Sequence, residues 1–218
     1  MILKNIYISP ELEDYGKEIV YPFKEQSRSI CNFLERKIKD LKYSSKGFRT
    51  VCFVGKRHPS KYFFVNSSNV LNVDIYIDES RYKSTTIYCL NSYFIEIIKS
   101  GLDKCGDILP IAEITSALNE FENSGYVNEW VHKKRFFKNQ NITCSLVCNH
   151  SIKDFRLSLK ITRADDVVFN EVILVTPPDE LAYHYKFKDI IIDNDEVIVT
   201  TKLHSEPDNV LFRFKLKP

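Results

Sequence analysis

Residues 142–161 constrain the fold of this chain more than any other stretch. In the first half, every second residue belongs to one face: Ile142, Cys144, Leu146, Cys148 and His150. The second half repeats the pattern with Phe155, Leu157, Leu159 and Ile161. A period of two with one apolar and one polar face is typical of antiparallel strands that cover a core on one side. We therefore expect two paired strands here, with later strands in the same sheet and earlier helices covering it.

The residues before position 125 mix helical and strand patterns. Apolar residues recur at helical spacing over residues 23–41, where Pro22 suits the first turn, and again over 90–105 and 111–121. Strand patterns cover residues 2–8, 48–54, 61–65 and 70–77, and the linkers 55–60 and 66–69 are short enough for hairpins. Mixed helix and strand patterns here, followed by strand patterns only, argue for an α+β fold rather than a doubly wound sheet.

The residues after position 141 carry strand patterns almost throughout: 142–149, 155–163, 167–175, 187–192, 197–203 and 210–216. The expected fold class is therefore α+β, with mainly antiparallel sheets, about three amphipathic helices and a C-terminal half that is nearly all β. We expect a single domain over residues 1–218. The alternative is a division into a mixed α/β part, residues 1–128, and an antiparallel β part, residues 139–218.

The amino-acid composition restricts the kinds of partner and the compartment that we expect for this protein. The chain has 31 Lys and Arg against 29 Asp and Glu, so its net charge of +2 argues against a strongly basic field and against nucleic acid as the main partner. No secretory signal and no apolar stretch of roughly 20 residues is visible, which predicts no membrane partner. Six scattered cysteines are typical of reduced, buried thiols. We expect a cytoplasmic protein.

Metal and cofactor motifs are weak in this sequence. Cys144, Cys148 and His150 share a strand face, but cysteines four residues apart on a strand lie roughly 13 Å from each other and do not bind one zinc ion together. Residues 54–58 contain a Gly-Lys pair without the other residues of a phosphate-binding loop. We expect neither a metal nor a cofactor, and no glycine-rich nucleophile motif is present.

The segment 130–138 is the strongest local signal. It interleaves Trp130 and two phenylalanines with basic residues. This composition suits phosphate contacts combined with base stacking, and it also suits a connector whose aromatic residues enter the core while its lysines stay hydrated. The near-neutral net charge favours the connector. A nucleic-acid-binding accessory protein remains the second hypothesis, and an enzyme with an unrecognised site near His184 or His150 is the third.

In layout the chain resembles the immunity proteins that bacteria make against polymorphic toxins. Three features carry the resemblance: the strand pattern over 71–78, the helical pair over 90–121 and the antiparallel run that ends near 216. The resemblance contains no diagnostic motif, so no functional residue is transferred. It implies a non-enzymatic bacterial protein that neutralises a cognate toxin by stoichiometric binding.

Candidate contact residues follow from the composition of protein interfaces, which are enriched in aromatic residues and arginine. We expect Asp74, Tyr76 and Asp78 on the outer face of one strand, and Trp130 with Arg135 in the basic segment, to contact the partner protein. The oligomeric state is left open by the sequence.

Overall fold

The computed structural model describes residues 1–164, 166–202 and 209–216. The chain divides into two compact units, Met1–Asn128 and Glu129–Pro218. Among the described residues, three long α-helices and two short ones accompany strands whose pairings are mainly antiparallel, which confirms the α+β class. The end of the strand predicted over residues 197–203 lies outside the described residues.

The first unit is a four-stranded sheet with helices. Its elements in chain order are β1 (Asn5–Pro10), α1 (Lys17–Leu41), β2 (Thr50–Lys56), β3 (Phe63–Val65), β4 (Val70–Tyr76), α2 (Glu79–Ser84), α3 (Leu90–Leu102) and α4 (Ile111–Asn123). The strand order is β1-β2-β4-β3. Both β1 and β4 are parallel to β2, whereas β3 is antiparallel to β4.

The hairpin predicted between β2 and β3 is wrong, because β2 pairs with β1 and β4 instead. Helix α1 supplies the long crossover that two adjacent parallel strands require. Alternation of buried residues has the same period in parallel and antiparallel strands, so it could not give the orientation. The β3–β4 hairpin is confirmed: the side-chain oxygen of Asn66 accepts hydrogen bonds from the backbone of Ser68 (3.0 Å) and Val70 (3.1 Å), and Asn69 has a φ of 59°.

Helix α1 begins at Lys17, so Pro22 lies inside the helix rather than in the expected first turn. The reason is that Ile19 and Val20 are buried and extend the apolar face N-terminally of Phe23. The helix ends at Leu41, followed by Lys42 in the left-handed conformation.

Helix α1 also closes the free edge of β1. The backbone N–H of Ile6 donates to Glu35 Oε1 (2.9 Å), and Arg28 donates to the carbonyl oxygen of Ile6 (3.1 Å). Arg28 and Glu35 are themselves ion-paired at 3.1 Å. A charged pair of the helix thus satisfies the backbone groups that an edge strand would otherwise expose.

In its described part, the second unit contains two antiparallel sheets. Its elements are β5 (Glu129–Phe137), β6 (Ile142–His150), β7 (Phe155–Arg163), β8 (Asp166–Thr176), α5 (Glu180–Tyr183), β9 (Asp189–Asp193), β10 (Glu196–Thr200) and β11 (Val210–Lys215). One sheet has the order β5-β6-β7-β8 and the other β11-β10-β9. The paired strands predicted over residues 142–161 are confirmed as β6 and β7.

The cover of this sheet differs from the expectation. We predicted upstream helices over one continuous sheet, but β9, β10 and β11 form a separate sheet whose buried residues join the core of β6 and β7. Tyr183 and Phe187 complete the cover, and Phe155 stacks on the Tyr183 ring at 3.6 Å between ring centroids. Apolar residues of β10 such as Val197 and Val199 therefore replace the predicted helical layer. None of the helices in the described ranges is both long and apolar enough to cross a bilayer.

Candidate functional site

The parallel strands β1, β2 and β4 have their carboxyl ends at the same end of the first sheet. Open α/β sheets commonly bind ligands at this end. Charged residues stand at or just beyond each strand end. Glu11 follows β1, Lys56 ends β2, and Asp74 lies two residues before the end of β4. The carboxyl ends of these strands therefore form the first candidate site.

Lys56 joins these three strand ends. Its ammonium nitrogen lies 3.4 Å from Asp74 Oδ2 and 3.5 Å from Glu11 Oε2. Burial lowers the pKa of Lys56, but attraction to Asp74 and Glu11 is larger in sum and raises the pKa above its ordinary value. Lys56 is consequently a protonated cation at neutral pH, paired with carboxylates and unsuited to act as a base.

Arg57 ties the loop after β2 to the loop after β1 and to helix α2. Its backbone N–H donates to Asp14 Oδ2 (2.8 Å), and its guanidinium donates to the carbonyl oxygen of Asp14 (2.8 Å) and to Glu79 (2.9 Å). Lys83 also pairs with Glu79 at 2.6 Å, and that hydrogen bond lowers the pKa of Glu79. Because each of these cations has a carboxylate neighbour, the network holds the loops in place.

Three exposed aromatic side chains lie on strands β3 and β4 or directly beside them. Phe64 is paired in register with Asn72, which puts it on the same face as Asp74 and Tyr76, two and four residues further along β4. Tyr62 immediately precedes β3 and lies outside its paired residues, with its backbone N–H donating to Ser60 Oγ (3.1 Å). Tyr62 is 81% exposed, Phe64 57% and Tyr76 58%. We call Tyr62, Phe64 and Tyr76 the aromatic face.

The three contact residues predicted on β4 have different surroundings. Asp74 is only 6% exposed, so its expected place on an outer surface is wrong; its carboxylate accepts from the backbone N–H of Ser60 (3.2 Å) and pairs with Lys56. Asp78 caps helix α2, because its side chain accepts from the backbone N–H of Arg81 (2.9 Å). Of the three, Tyr76 is the most exposed, at 58%.

The two contact residues predicted in the basic segment point toward the interior of the second unit. Trp130 is partly buried and packs against the core, with its ring 6.2 Å from that of Phe155. Arg135 pairs with Asp189 at 2.5 Å, and Lys133 lies 3.6 Å from the same carboxylate. Both side chains are therefore in contact with residues of the second unit in this structure.

The basic segment is strand β5 and not the predicted connector. Hydrogen bonding to β6 separates its residues between two faces, so the basic side chains do not form one patch. Lys134 and Phe136 lie on the outer face with Lys160 of β7, since Lys134 and Lys160 are both in register with Ser145. This is the part of the segment that could meet a phosphate and a base.

The cysteine and histidine candidates lie in surroundings that are typical of structural residues. Within the described ranges, no group of three or more His, Cys, Asp or Glu residues is arranged to hold a metal ion. Burial raises the pKa of the Cys144 thiol to about 12, so it stays protonated. His150 Nε2 is 2.8 Å from the carbonyl oxygen of Pro178, and His184 Nδ1 is 2.9 Å from that of Glu180.

Sequence reasoning missed Tyr62 and Phe64. The run from Tyr62 to Val65 has no polar residue on either side of the strand, and we interpreted it as an ordinary hairpin strand. A four-residue apolar run next to a polar turn could also have indicated an exposed edge, because such a run shows no period-two separation of faces. Only the register against β4 assigns Phe64 and Tyr76 to one side.

Comparisons of the chain with protein-family models, with curated proteins and with solved structures yield no match.

Proposed function

We propose that this chain is a non-enzymatic protein-binding module that neutralises a cognate protein by stoichiometric binding, as a bacterial immunity protein neutralises its toxin. The observation that carries the proposal is the aromatic face: the exposed rings of Phe64 and Tyr76 on one side of β3 and β4, and the exposed ring of Tyr62 directly before β3. Aromatic residues dominate the energetic centres of protein interfaces because each removes a large area from water when it is covered.

The surroundings of the aromatic face favour binding without rearrangement. Asp74 is fixed under the face by Lys56 and by the backbone of Ser60, and Lys104 donates to the carbonyl oxygens of Asp74 (2.6 Å) and Ser60 (3.0 Å). These contacts hold the backbone near Tyr62 and Tyr76 in place. A surface that is ordered before it meets its partner loses less conformational entropy on binding.

The test is affinity capture from a native lysate of the source organism, with nuclease treatment in parallel. The wild-type chain should retain one protein near a one-to-one ratio, and the variant Tyr62→Ser/Tyr76→Ser should lose it by more than tenfold. The matched control is Tyr88→Ser with Tyr21→Ser, because these tyrosines are 82% and 52% exposed elsewhere. Equal retention by both double variants would contradict the proposal.

The inhibitory role needs a second measurement on the captured protein. Co-expression of the wild-type chain should restore growth of cells that produce this protein, whereas co-expression of Tyr62→Ser/Tyr76→Ser should not. Titration of the purified pair should end at one chain per partner. If the captured protein has the same activity with and without the chain, the chain binds that protein but does not inhibit it.

One observation favours a second candidate, a nucleic-acid-binding accessory role. Lys134, Phe136 and Lys160 share the outer face of the β5–β8 sheet, where the two lysines lie in one cross-strand row and the ring of Phe136, 63% exposed, lies in the next row. A fluorescent single-stranded RNA of mixed sequence should then bind with a steep dependence on salt, and Phe136→Ala with Lys134→Ala should abolish binding. Absence of binding at low salt would exclude this candidate.

A further inference from the structure

The two edges of the first sheet are treated differently. At the β1 edge, Arg28 and Glu35 of α1 bind the carbonyl oxygen and the N–H of Ile6. At the other edge, β3 has β4 as its neighbour on one side, and no strand within the described ranges pairs with its other side. All three β3 side chains are exposed: Phe63, Phe64 and Val65. An apolar open edge is a template for another strand.

The hydrogen-bond pattern identifies which backbone groups of β3 face outward. The N–H of Asn66 donates to the carbonyl oxygen of Val70 (2.9 Å), so this pair is of the hydrogen-bonded type. Opposite residues alternate in type along an antiparallel pair, and Phe64 with Asn72 is therefore also hydrogen-bonded. The N–H and C=O groups of Phe63 and Val65 consequently point away from β4.

We propose that this edge binds β3 of a second copy of the chain, in antiparallel pairing about a two-fold axis at Phe64. Phe63 of each copy then lies opposite Val65 of the other, and these pairs exchange both of their outward hydrogen bonds. Phe64 lies opposite Phe64, in the closer type of pair. Lys61 lies opposite Ser67, so the pairing brings no like charges together.

The geometry of closure favours a second copy over an unrelated strand. Two-fold pairing joins the sheets in the order β1-β2-β4-β3-β3-β4-β2-β1, and the β1 edge at each end is already closed by Arg28 and Glu35. Because α1 already occupies the outward backbone groups of Ile6 at both ends, pairing through β3 favours a closed dimer over further growth. The neighbouring cations Lys56 and Arg57 are paired with carboxylates within each copy, which limits repulsion between the copies.

The dimer would present the aromatic faces of both copies on the same side of one sheet. The axis is perpendicular to the sheet, so each copy keeps Phe64 and Tyr76 on the side they occupy in the single chain. Because β3 is only three residues long, the contact is small, and the dimer should dissociate on dilution. This inference does not depend on the partner of the proposed function.

Disulfide trapping tests the pairing and its register. In a Cys89→Ser background, which removes the exposed native thiol, Phe64→Cys should cross-link two copies under mild oxidation. The Cα atoms at position 64 would be roughly 4.5 Å apart across the axis, within disulfide reach. Tyr62→Cys is the matched control, because its two copies would be separated by about four residues, roughly 13 Å. Equal cross-linking of the two variants would indicate random collision and overturn the proposal.

Sedimentation of the otherwise unmodified chain tests the backbone contact. We expect a monomer–dimer equilibrium whose dissociation constant rises at least tenfold in Val65→Pro, which removes an outward N–H but leaves the bonds to β4 in place. Phe64→Lys should have the same effect, and Tyr88→Lys should not. A chain that stays monomeric at millimolar concentration, or a dimer unaffected by Val65→Pro, would overturn the proposal.

Discussion

The two units have ion pairs in different surroundings. The pairs differ more in how far they are buried than in the distance between their charged atoms. Arg135 and Asp189 of the second unit are closer, at 2.5 Å, than Arg28 and Glu35 of the first, at 3.1 Å. Yet the Arg135 and Asp189 side chains are 39% and 24% exposed, against 10% and 13% for Arg28 and Glu35. Water screens the shorter pair, so we expect the longer one to matter more for stability.

The units also differ in what would be lost when a pair is broken. Removing Glu35 leaves the N–H of Ile6 without its acceptor and leaves Arg28 as a buried cation without its carboxylate. Removing Asp189 leaves Arg135 beside water. In the second unit, we expect a comparable loss of stability from damage to the apolar core, where Phe155 stacks on Tyr183.

The largest effect should follow from Phe155→Ala in the second unit. Phe155 is fully buried, and its ring is parallel to those of Tyr183 and Phe187, so truncation leaves a cavity. We expect a loss of about 3–5 kcal/mol in the free energy of unfolding. Denaturant unfolding followed by the fluorescence of Trp130, the single tryptophan, measures it. Phe155→Leu should cost less, and a loss below about 1 kcal/mol for Phe155→Ala would mean that the site collapses around alanine.

Glu35→Ala should have an effect of similar size on the first unit. We expect a loss of about 3 kcal/mol, because one buried backbone donor and one buried cation lose their partner together. Hydrogen exchange of the peptides that cover β1 and α1 measures the local free energy of opening. The matched control is Glu196→Ala, which breaks the pair with Arg213 in the second unit, where the two side chains are 35% and 44% exposed. Equal losses would remove the distinction between buried and exposed pairs.

The second unit was the more predictable of the two, and the reason is physical. One face of β6 and β7 is buried and the other is hydrated, so the sequence itself carries the period of two that identified both strands. What the alternation could not give is the identity of the layer that covers the buried face. That layer contains Val197 and Tyr183, which come from short elements far along the chain.

The candidate site was less predictable, because it depends on pairing between strands. Asp74 and Tyr76 occupy neighbouring positions of one polar face in the sequence, but Asp74 is covered by Lys56 and Ser60, which arrive from β2 and from the loop after it. Phe64 joins Tyr76 only through the register of β3 against β4. Local periodicity contains neither kind of information.

Arg135→Ala should change stability only slightly, despite the short distance to Asp189. We expect a loss below about 1 kcal/mol in the free energy of unfolding, because both side chains are partly hydrated. Trp130 fluorescence during denaturant unfolding measures the change, with Lys134→Ala on the outer face as the control. A loss above about 2 kcal/mol would mean that the short pair is shielded from water. It would contradict the claim that the more exposed ion pair contributes less to stability.

The smallest effect concerns a carboxylate in the turn between β6 and β7. Arg156 donates two hydrogen bonds to Asp154 Oδ2 (2.8 and 2.9 Å) and lowers the pKa of Asp154, and Ser151 donates to Oδ1 (2.9 Å) with the same sign, while partial burial acts in the opposite direction. A pKa lowered by folding contributes stability that is present at pH values above the unfolded pKa, about 4, and is lost as the pH falls through the folded pKa.

We therefore expect Asp154→Asn to destabilise the chain by less than about 1 kcal/mol at pH 7, since Arg156 is largely hydrated. The difference from the wild type should shrink as the pH falls below about 4, because the protonated wild-type carboxyl then resembles the amide. Urea unfolding of both proteins from pH 7 down to pH 3 measures this difference, with Ser151→Ala as a variant that keeps the carboxylate. A difference that stays constant over this range would show that the pair with Arg156 does not contribute, and that the turn is held by neutral hydrogen bonds alone.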